Sequence, residues 1–246
     1  MATTPGEGSS NARPRRRRSQ LSDDVARELR SWIMSGKLRP GAAIHLDETA
    51  TELDVSITPV RDALLTLCGE GFVEPGHRRG FVVTELSRED VLDIFWLQSH
   101  VAVELAQRAA RHLTPAGIDA LQQHIQQLRT AVTARDVDAI ANAEFAFHRE
   151  LNHLARASKL AWLSLKMSWY APHRMYSTDH TWGEFAVASH ERLLSALREA
   201  NMTQIAAETQ VLFADAAQRL LAHLEHIGVW DESEQQGADT LADSSS

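Results

Sequence analysis

The chain has 246 residues, a single cysteine and a formal net charge of −8. It contains no apolar run near the ~20 residues that a membrane-spanning helix needs, and no signal-peptide pattern follows its first residues. A lone cysteine cannot form an internal disulfide. These properties predict a cytoplasmic protein with two modest domains, rather than a membrane protein or a disulfide-rich secreted one.

The charge is unevenly distributed along the chain. Residues 1–86 carry 12 basic and 12 acidic side chains, so the whole negative charge lies in residues 87–246. Within the first part, arginines concentrate in residues 13–18 and at Arg78 and Arg79. A DNA-binding protein needs basic groups only where phosphates lie. The asymmetry therefore favours an N-terminal nucleic-acid module followed by an acidic partner domain.

Both ends of the chain lack a periodic apolar pattern. Residues 1–20 are rich in Gly, Ser, Pro and Arg and are predicted to form a disordered arginine-rich arm. Its PRRRR run is typical either of an arm that follows the DNA backbone or of a solvated tail. Residues 229–246 are predicted to be a disordered acidic tail.

Residues 21–86 are predicted to form a winged helix-turn-helix domain. A first helix begins near Ser22, a second is capped by Asp47, and a third is capped by Thr58 with Pro59 in its first position. The runs FVEP and FVVT then predict two strands, joined by the basic, glycine-bounded loop GHRRG. This order of helices and strands predicts an α+β domain.

Residues 87–228 are predicted to form an all-α bundle, because strand signals end at Ser87. Capping patterns at Ser87, Thr114 and Asp136 start three helices. Further helices are expected near 158–171, 184–200 and 203–227, with an irregular connection over 173–183. The whole chain is thus predicted to be predominantly α.

The combination of TPVRDAL, EGFV and GHRRG resembles the winged-helix domain of the GntR superfamily of bacterial transcription regulators. The helices that contain EFAFH (144–148) and SHERLLSAL (189–197) resemble the FCD-type effector domain of its FadR subfamily. The resemblance implies a homodimeric, ligand-responsive regulator, expected to be a repressor, that binds a palindromic operator in double-stranded DNA.

The resemblance also implies which residues contact DNA: Ser56, Thr58 and Arg61 on the recognition helix, and His77, Arg78, Arg79 and Gly80 in the wing. Ile57 and Asp47 stand where relatives can carry arginine. Arg61 is therefore the one recognition-helix arginine able to contact a guanine edge. The alternative role for Arg61 is an ion pair with Asp62 or Glu70.

Glu144 and His148 are four residues apart on one predicted helix, a spacing that suits two ligands of one metal ion. By resemblance, His190 supplies a third ligand and Leu212 occupies the position of a fourth, histidine ligand. Two hypotheses stay open. Glu144, His148 and His190 hold a divalent ion such as zinc, or they line a pocket without a metal.

The resemblance implies an arginine that binds the carboxylate of the effector, but Gln98 stands at the matching position with His100 close by. Trp162 and Trp169 add aromatic bulk near the expected pocket. These four residues predict an effector pocket that accepts a larger carboxylic acid, such as an acyl or aromatic acid. The alternative is that the tryptophans only fill the core.

Three classes of function are consistent with these features. They are an effector-sensing DNA-binding regulator, a metal-binding helical hydrolase, and a regulator whose bundle only dimerises. The sequence lacks HExxH, a nucleophile elbow and a phosphate-binding loop, and an enzyme would not explain the winged helix. We therefore predict a regulator and not an enzyme.

Overall fold

The computed structural model describes residues 12–76, 80–171 and 173–230. Contacts divide the chain into two compact units, one drawn from residues 1–86 and 227–246 and the other from Ser87–His226. The predicted fold class is confirmed, since an α+β unit and an all-α unit are present. None of the helices within these residues combines the length and hydropathy of a membrane-spanning segment.

The first unit begins with α1 (Ala12–Met34). It continues through β1 (Ala43–Ile44), α2 (Leu46–Glu52), α3 (Ile57–Gly69), β2 (Val73–Pro75) and β3 (Phe81–Val83). Helix α1 starts before the predicted position near Ser22 and includes the arginine run. Over residues 12–20 the structure therefore differs from the predicted disordered arm, whereas residues 1–11 lie outside the described residues.

Helices α1 and α3 pack against each other and supply most of the core of this unit. The fully buried side chains include Leu29, Val60, Leu64 and Leu67. The guanidinium of Arg30 donates two hydrogen bonds, of 2.7 and 2.9 Å, to the carboxylate of Glu70. This largely buried ion pair fixes α1 to the end of α3.

The turn between α2 and α3 differs in detail from the prediction. Ser56 occupies the N-cap position of α3, without a capping hydrogen bond from its side chain, so Thr58 lies within the helix and Pro59 is its third residue. Proline is tolerated there because the first-turn N–H groups have no partner within the helix. Likewise α2 is capped by His45, and Asp47 lies in its first turn. The predicted caps at Asp47 and Thr58 were therefore wrong. In each case another polar residue, His45 or Ser56, lies two positions earlier and occupies the N-cap position.

Strands β2 and β3 are antiparallel and match the two predicted strands, with Val73 opposite Val83 and Pro75 opposite Phe81. At the base of their loop, the N–H of Gly76 donates to the carbonyl of Gly80 at 3.0 Å. Strand β1 pairs with the other edge of β3. It escaped prediction because a two-residue strand carries no alternating pattern.

Among the residues that the structure describes, the second unit contains helices and no strand. They are α4 (Arg88–Arg111), α5 (Pro115–Ala134), α6 (Val137–Leu154), α7 (Ser158–Met167), a 3-10 turn (Ser168–Tyr170), α8 (His173–Thr178), α9 (His180–Arg198) and α10 (Met202–His226). The predicted caps at Ser87, Thr114 and Asp136 are confirmed. Ser87 and Asp90 form a reciprocal capping box, and hydrogen bonds from Ser87 lower the pKa of the Asp90 carboxyl.

Residues 173–183 are not the irregular connection that was predicted. They contain α8 and the first turn of α9, which is capped by Asp179. The Asp179 carboxylate accepts from the backbone N–H groups of Thr181 and Trp182 at 2.9 and 3.3 Å. A helix as short as α8 spans too few residues to show an apolar period.

The core of the second unit lies where α10 packs on α4 and α9, and where α5 packs on α6 and α9. Its largest fully buried side chains are Leu105, Leu121, Leu128, Phe147, Leu197, Ile205, Leu220 and Leu224. This packing brings together α6, α9 and α10, the three helices that carry the candidate metal ligands and Leu212.

Residues 227–230, which follow α10, belong to the first unit. Trp230 is buried, and its indole N–H donates to the carbonyl of Leu86 at 2.7 Å. Arg39 donates to the carbonyl of Gly228 at 3.3 Å. The predicted disordered tail therefore does not include residues 229 and 230, while residues 231–246 lie outside the described residues.

Candidate DNA-contacting surface and ligand cavity

The solvent face of α3 carries Ser56, Thr58 and Arg61, all exposed. The opposite face is packed into the core. Within the described chain Arg61 has no hydrogen bond or ion pair, and Glu70 is engaged by Arg30. The ion-pair alternative for Arg61 therefore lacks support. Its guanidinium is available for a partner outside the unit.

The wing is described only in part. Gly80 directly precedes β3, and a Cβ atom built on it would lie 3.2 Å from the carbonyl oxygen of Ile44. Glycine therefore suits this close approach of two backbone segments. His77, Arg78 and Arg79 lie outside the described residues. Ser56, Thr58 and Arg61 are thus exposed, and their contacts with DNA, like those of the wing tip, stay predictions.

Glu144, His148 and His190 converge inside the second unit. Glu144 Oε1 lies 3.2 Å from His148 Nε2, and Glu144 Oε2 lies 2.8 Å from His190 Nε2. The three ligand atoms are all within 4.8 Å of one another. Helix α6 supplies the first two residues one turn apart, and α9 supplies the third.

Electrostatics favour an ionised Glu144 at this position. Burial by itself raises the pKa of the carboxyl, but the charges of the two histidines and their hydrogen bonds outweigh it. The pKa of Glu144 is consequently held well below its usual range. A buried carboxylate that faces two imidazole nitrogens can accept hydrogen bonds from both rings, or share a cation with them.

The donor set fits a divalent ion held by three protein ligands. Two ligand atoms bound at ~2.1 Å to a tetrahedral ion lie ~3.4 Å apart, so the two separations between Glu144 and the histidines need to open by less than ~1 Å. Leu212, which the resemblance places at the position of a fourth ligand, is buried and lines the cavity, so it offers no donor atom. Neither nearby acid can replace it easily, since Glu208 accepts from Arg192 at 2.8 Å and Asp215 from Arg219 at 2.7 Å.

The surroundings of His190 are mainly apolar. Its ring stacks on Phe147, with centroids 4.0 Å apart and planes 12° apart. Its Nδ1 is buried without a hydrogen-bond partner in the described part of the chain. Metal-binding histidines usually donate this second N–H to an acceptor. Stacking on Phe147 and the contact of Nε2 with Glu144 therefore hold the ring of His190, without a hydrogen bond at Nδ1.

Glu144 and His148 border a cavity of about 730 Å³. Its remaining walls come mainly from α4, α6, α7 and α10, and include Phe95, Gln98, Phe145, Arg149, Asn152, Arg156, Trp162, Leu165, Tyr176, Trp182, Thr209, Leu212 and Phe213. Most of this surface is apolar. Pockets for small organic ligands in proteins have a similar size and character.

Two of the four predicted pocket residues line the cavity and two do not. Gln98 and Trp162 line the cavity, and the side-chain amide of Gln98 donates to the carbonyl of Met167 at 3.0 Å. His100 is exposed, and its ring lies against that of Trp96, with centroids 4.3 Å apart and planes tilted by 44°. Trp169 lies under the ammonium of Lys166, 3.5 Å from the ring centroid. His100 and Trp169 are thus not among the residues that line this cavity, and each ring contacts a neighbour along its own segment.

Arg149 and Arg156 were missed as cavity residues. Arg149 lies on α6, the helix that also carries His148 and Asn152, and Arg156 lies just after the end of that helix. Neither arginine has an ion-pair partner among the residues that the structure describes. The spacing of 148, 149, 152 and 156 at helical intervals was the available signal. Exposed arginines on an amphipathic helix are, however, usually solvated.

A helix-turn-helix with a wing, joined in one chain to a helical domain with a ligand-sized cavity, is the architecture of a ligand-binding transcription regulator. Comparison with protein families gives the same result. Residues 21–83 match the bacterial regulatory proteins of the gntR family, and residues 93–226 match the FCD domain. The chain belongs to the GntR family and carries an FCD effector-binding domain. The matched family consists of regulatory proteins and not of enzymes, which agrees with the predicted regulator and gives no support to the hydrolase hypothesis.

Individual relatives support this assignment. The transcriptional regulator McbR of Escherichia coli K12 is 28% identical over 133 residues, 54% of this chain and 60% of McbR. The repressor RspR of the same organism is 27% identical over 142 residues, 58% of this chain and 62% of RspR. These alignments thus span about three fifths of each relative. A solved structure of Escherichia coli McbR shares the fold, with a TM-score of 0.62 and 23% identity, covering 84% of this chain and 97% of that one.

Proposed function

We propose that the protein is a cytoplasmic repressor that binds a palindromic operator as a homodimer and changes its DNA affinity when a carboxylic acid binds the cavity. The observation that carries the proposal is the cavity itself. It places a carboxylate–histidine cluster and two unpaired arginines on the walls of an otherwise apolar space. A bundle that served only for dimerisation would not need such a space.

Arg61 supports the assignment of α3 as the recognition helix, because arginine donates two hydrogen bonds to the O6 and N7 atoms of guanine. Arg61→Ala should weaken binding to a selected operator by ~1–3 kcal/mol and leave binding to unrelated DNA nearly unchanged. Fluorescence anisotropy with both duplexes at one salt concentration measures the difference. An equal loss on both duplexes would show that Arg61 contacts only phosphate.

A control for Arg61 is a variant with serine in place of Arg13 and Arg15–Arg18. These arginines are proposed to contact the DNA backbone. Their loss should weaken all duplexes alike and flatten the dependence of affinity on salt. The two variants therefore separate base recognition from general attraction.

The effector proposal rests on the charge and size of the cavity. Arg149 and Arg156 offer planar donors that suit a carboxylate, while Phe95, Trp162 and Phe213 suit an acyl chain or aromatic ring. Glu144, His148 and His190 would hold a divalent ion beside this space. A bound ion with an open coordination position would add a Lewis acid for the same carboxylate.

Replacing both Arg149 and Arg156 with glutamine should abolish stabilisation by organic acids. Octanoate and benzoate should raise the melting temperature of the wild-type protein and lower its operator affinity, whereas their methyl esters should do neither. Each charged hydrogen bond contributes ~1.5–3 kcal/mol, so loss of two should lower acid affinity more than about a hundredfold. Arg111→Gln, at an exposed arginine outside the cavity, is the control. Equal stabilisation of both variants would contradict the proposal.

Regulation needs a link between the cavity and the DNA-binding unit. Helix α10 supplies Thr209, Leu212 and Phe213 to the cavity wall and ends at His226, and the next residues belong to the first unit. An effector that prefers one position of α10 would shift the equilibrium between two states by its difference in affinity for them. Chain continuity thus supports a direct mechanical link.

The homodimer proposal rests on exposed apolar side chains on α4 and α7, two helices that pack together. Leu92 and Trp96 project from one face of α4, and Trp162, Leu163 and Leu165 are exposed on α7. In the described structure α7 has no buried residue despite its apolar sequence. A second copy of this chain would cover the surface and set the spacing of two recognition helices.

The variant Trp96→Glu/Leu163→Glu should convert the dimer into a monomer, because two charges would lie in an apolar contact. Light scattering measures the mass, and operator affinity should fall at least tenfold. Val211→Glu is a matched control, since Val211 is a similarly exposed apolar residue on α10. A monomeric wild-type protein, or a double variant that stays dimeric, would contradict this interface.

A further inference from the structure

Ile57 is an unusual side chain on the DNA-contacting surface. It is the first residue of α3, and 46% of it is exposed. Helical spacing places it directly beside Arg61, one turn later, with Cβ atoms ~5–6 Å apart. Its neighbours Ser56 and Thr58 are exposed hydroxyl residues. An aliphatic side chain thus lies among the groups that face DNA.

The core of the first unit does not account for this position. The inward face of α3 is complete without Ile57, since Val60, Ala63, Leu64 and Leu67 are fully buried. A single exposed aliphatic residue is ordinary on a protein surface and by itself indicates nothing. Here it adjoins an arginine that has no intramolecular partner in the described chain, on the helix expected to enter the major groove.

We propose that Ile57 contacts the C5-methyl group of a thymine next to the base pair that Arg61 contacts. Thymine is the base that presents a methyl group in the major groove, and apolar side chains recognise it by excluding water. The separation of the two side chains corresponds to one or two base pairs at ~3.4 Å rise. The inference rests on the proposed role of α3 as the recognition helix.

The inference changes the expected operator. An arginine at position 57 would favour guanine, whereas isoleucine cannot donate a hydrogen bond to any base. Each half-site should therefore combine a guanine that depends on Arg61 with a thymine that depends on Ile57. The side chain of Ile57 has no polar atom and therefore cannot form a hydrogen bond to phosphate.

The test compares thymine with deoxyuridine, which lacks only the methyl group. Duplexes are selected from a random library with the full-length protein, and each thymine of the enriched duplex is replaced singly. One thymine per half-site should lose about threefold to fivefold in affinity, as expected when one methyl group leaves an apolar contact. In Ile57→Ala the same replacement should have no effect, and the other thymines should behave as in the wild type.

Leu65→Ala is the matched control, because Leu65 is an exposed aliphatic residue of α3 two turns further from its N-terminus. This variant should keep the deoxyuridine penalty of the wild type. The inference is overturned if no thymine is sensitive to its methyl group, or if the penalty persists in Ile57→Ala. A selection that enriches no sequence would instead overturn the proposed operator recognition as well. A guanine that depends on Arg61, without a thymine that depends on Ile57, would overturn this inference alone.

Discussion

Replacing Trp230 with alanine should destabilise the first unit by about 3–5 kcal/mol, the usual cost of removing a buried aromatic side chain. Only 7% of Trp230 is exposed, and its N–H pairs with the Leu86 carbonyl. Small domains have a free energy of unfolding of only ~5–15 kcal/mol. Operator binding should therefore be lost at physiological temperature. Hydrogen exchange of peptides from α1 and α3 in the full-length protein measures the effect within this unit.

Two truncations isolate the contribution of this segment. A chain that ends after Trp230 should keep wild-type protection in α1 and α3, whereas a chain that ends after His226 should lose as much as Trp230→Ala. Trp230→Phe should cost less, because it removes the hydrogen bond and keeps most of the apolar contact. Unchanged protection in the chain that ends after His226 would show that the winged helix is stable without its C-terminal segment.

The sequence predicted the parts of the fold that are specified by neighbouring residues. The capping box at Ser87 and the pair of strands around GHRRG both arise within a few residues, so local patterns were sufficient. Trp230 could not be placed in this way. Its contact with Leu86 joins positions 144 residues apart and follows no period. Strand β1 could not be predicted for the same reason, because only its pairing with the distant β3 identifies it as a strand.

The candidate site was predicted unevenly for a related reason. Glu144 and His148 were found because a helix places residues four apart on one face, and the resemblance added His190. The cavity arginines were not found, because the resemblance directed attention to Gln98 on α4. In the structure the side-chain amide of Gln98 donates to a backbone carbonyl, whereas Arg149 on α6 and Arg156 just after that helix line the cavity without an ion-pair partner in the described residues. The positive charge of the cavity therefore comes from Arg149 and Arg156, and not from the position on α4 that the resemblance indicated.

A divalent ion bound by Glu144, His148 and His190 should strongly stabilise the folded protein. Zinc or manganese in hundredfold excess over its dissociation constant should stabilise the wild-type protein by ~2.7 kcal/mol, raising its melting temperature on the order of 5–10 °C. Glu144→Gln should abolish this shift, because the amide keeps the size of the side chain but loses the carboxylate ligand. Chelation of the wild-type protein should have the same effect. If neither metal nor chelator changes the melting temperature, Glu144 accepts hydrogen bonds from His148 and His190 without an ion.

Leu212→His separates these two hypotheses with effects of opposite sign. Leu212 is buried on the cavity wall, at the position that the resemblance assigns to a fourth ligand. In a pocket without a metal, an imidazole there would be buried without a partner and should destabilise the protein by ~1–3 kcal/mol with or without added zinc. In a three-ligand site the same imidazole completes a tetrahedron. Metal affinity should then rise at least tenfold, and the variant should be less stable than the wild type under chelation but more stable with zinc. Thermal melts of the wild type and the variant, each in chelator and in zinc, show whether zinc reverses their order of stability.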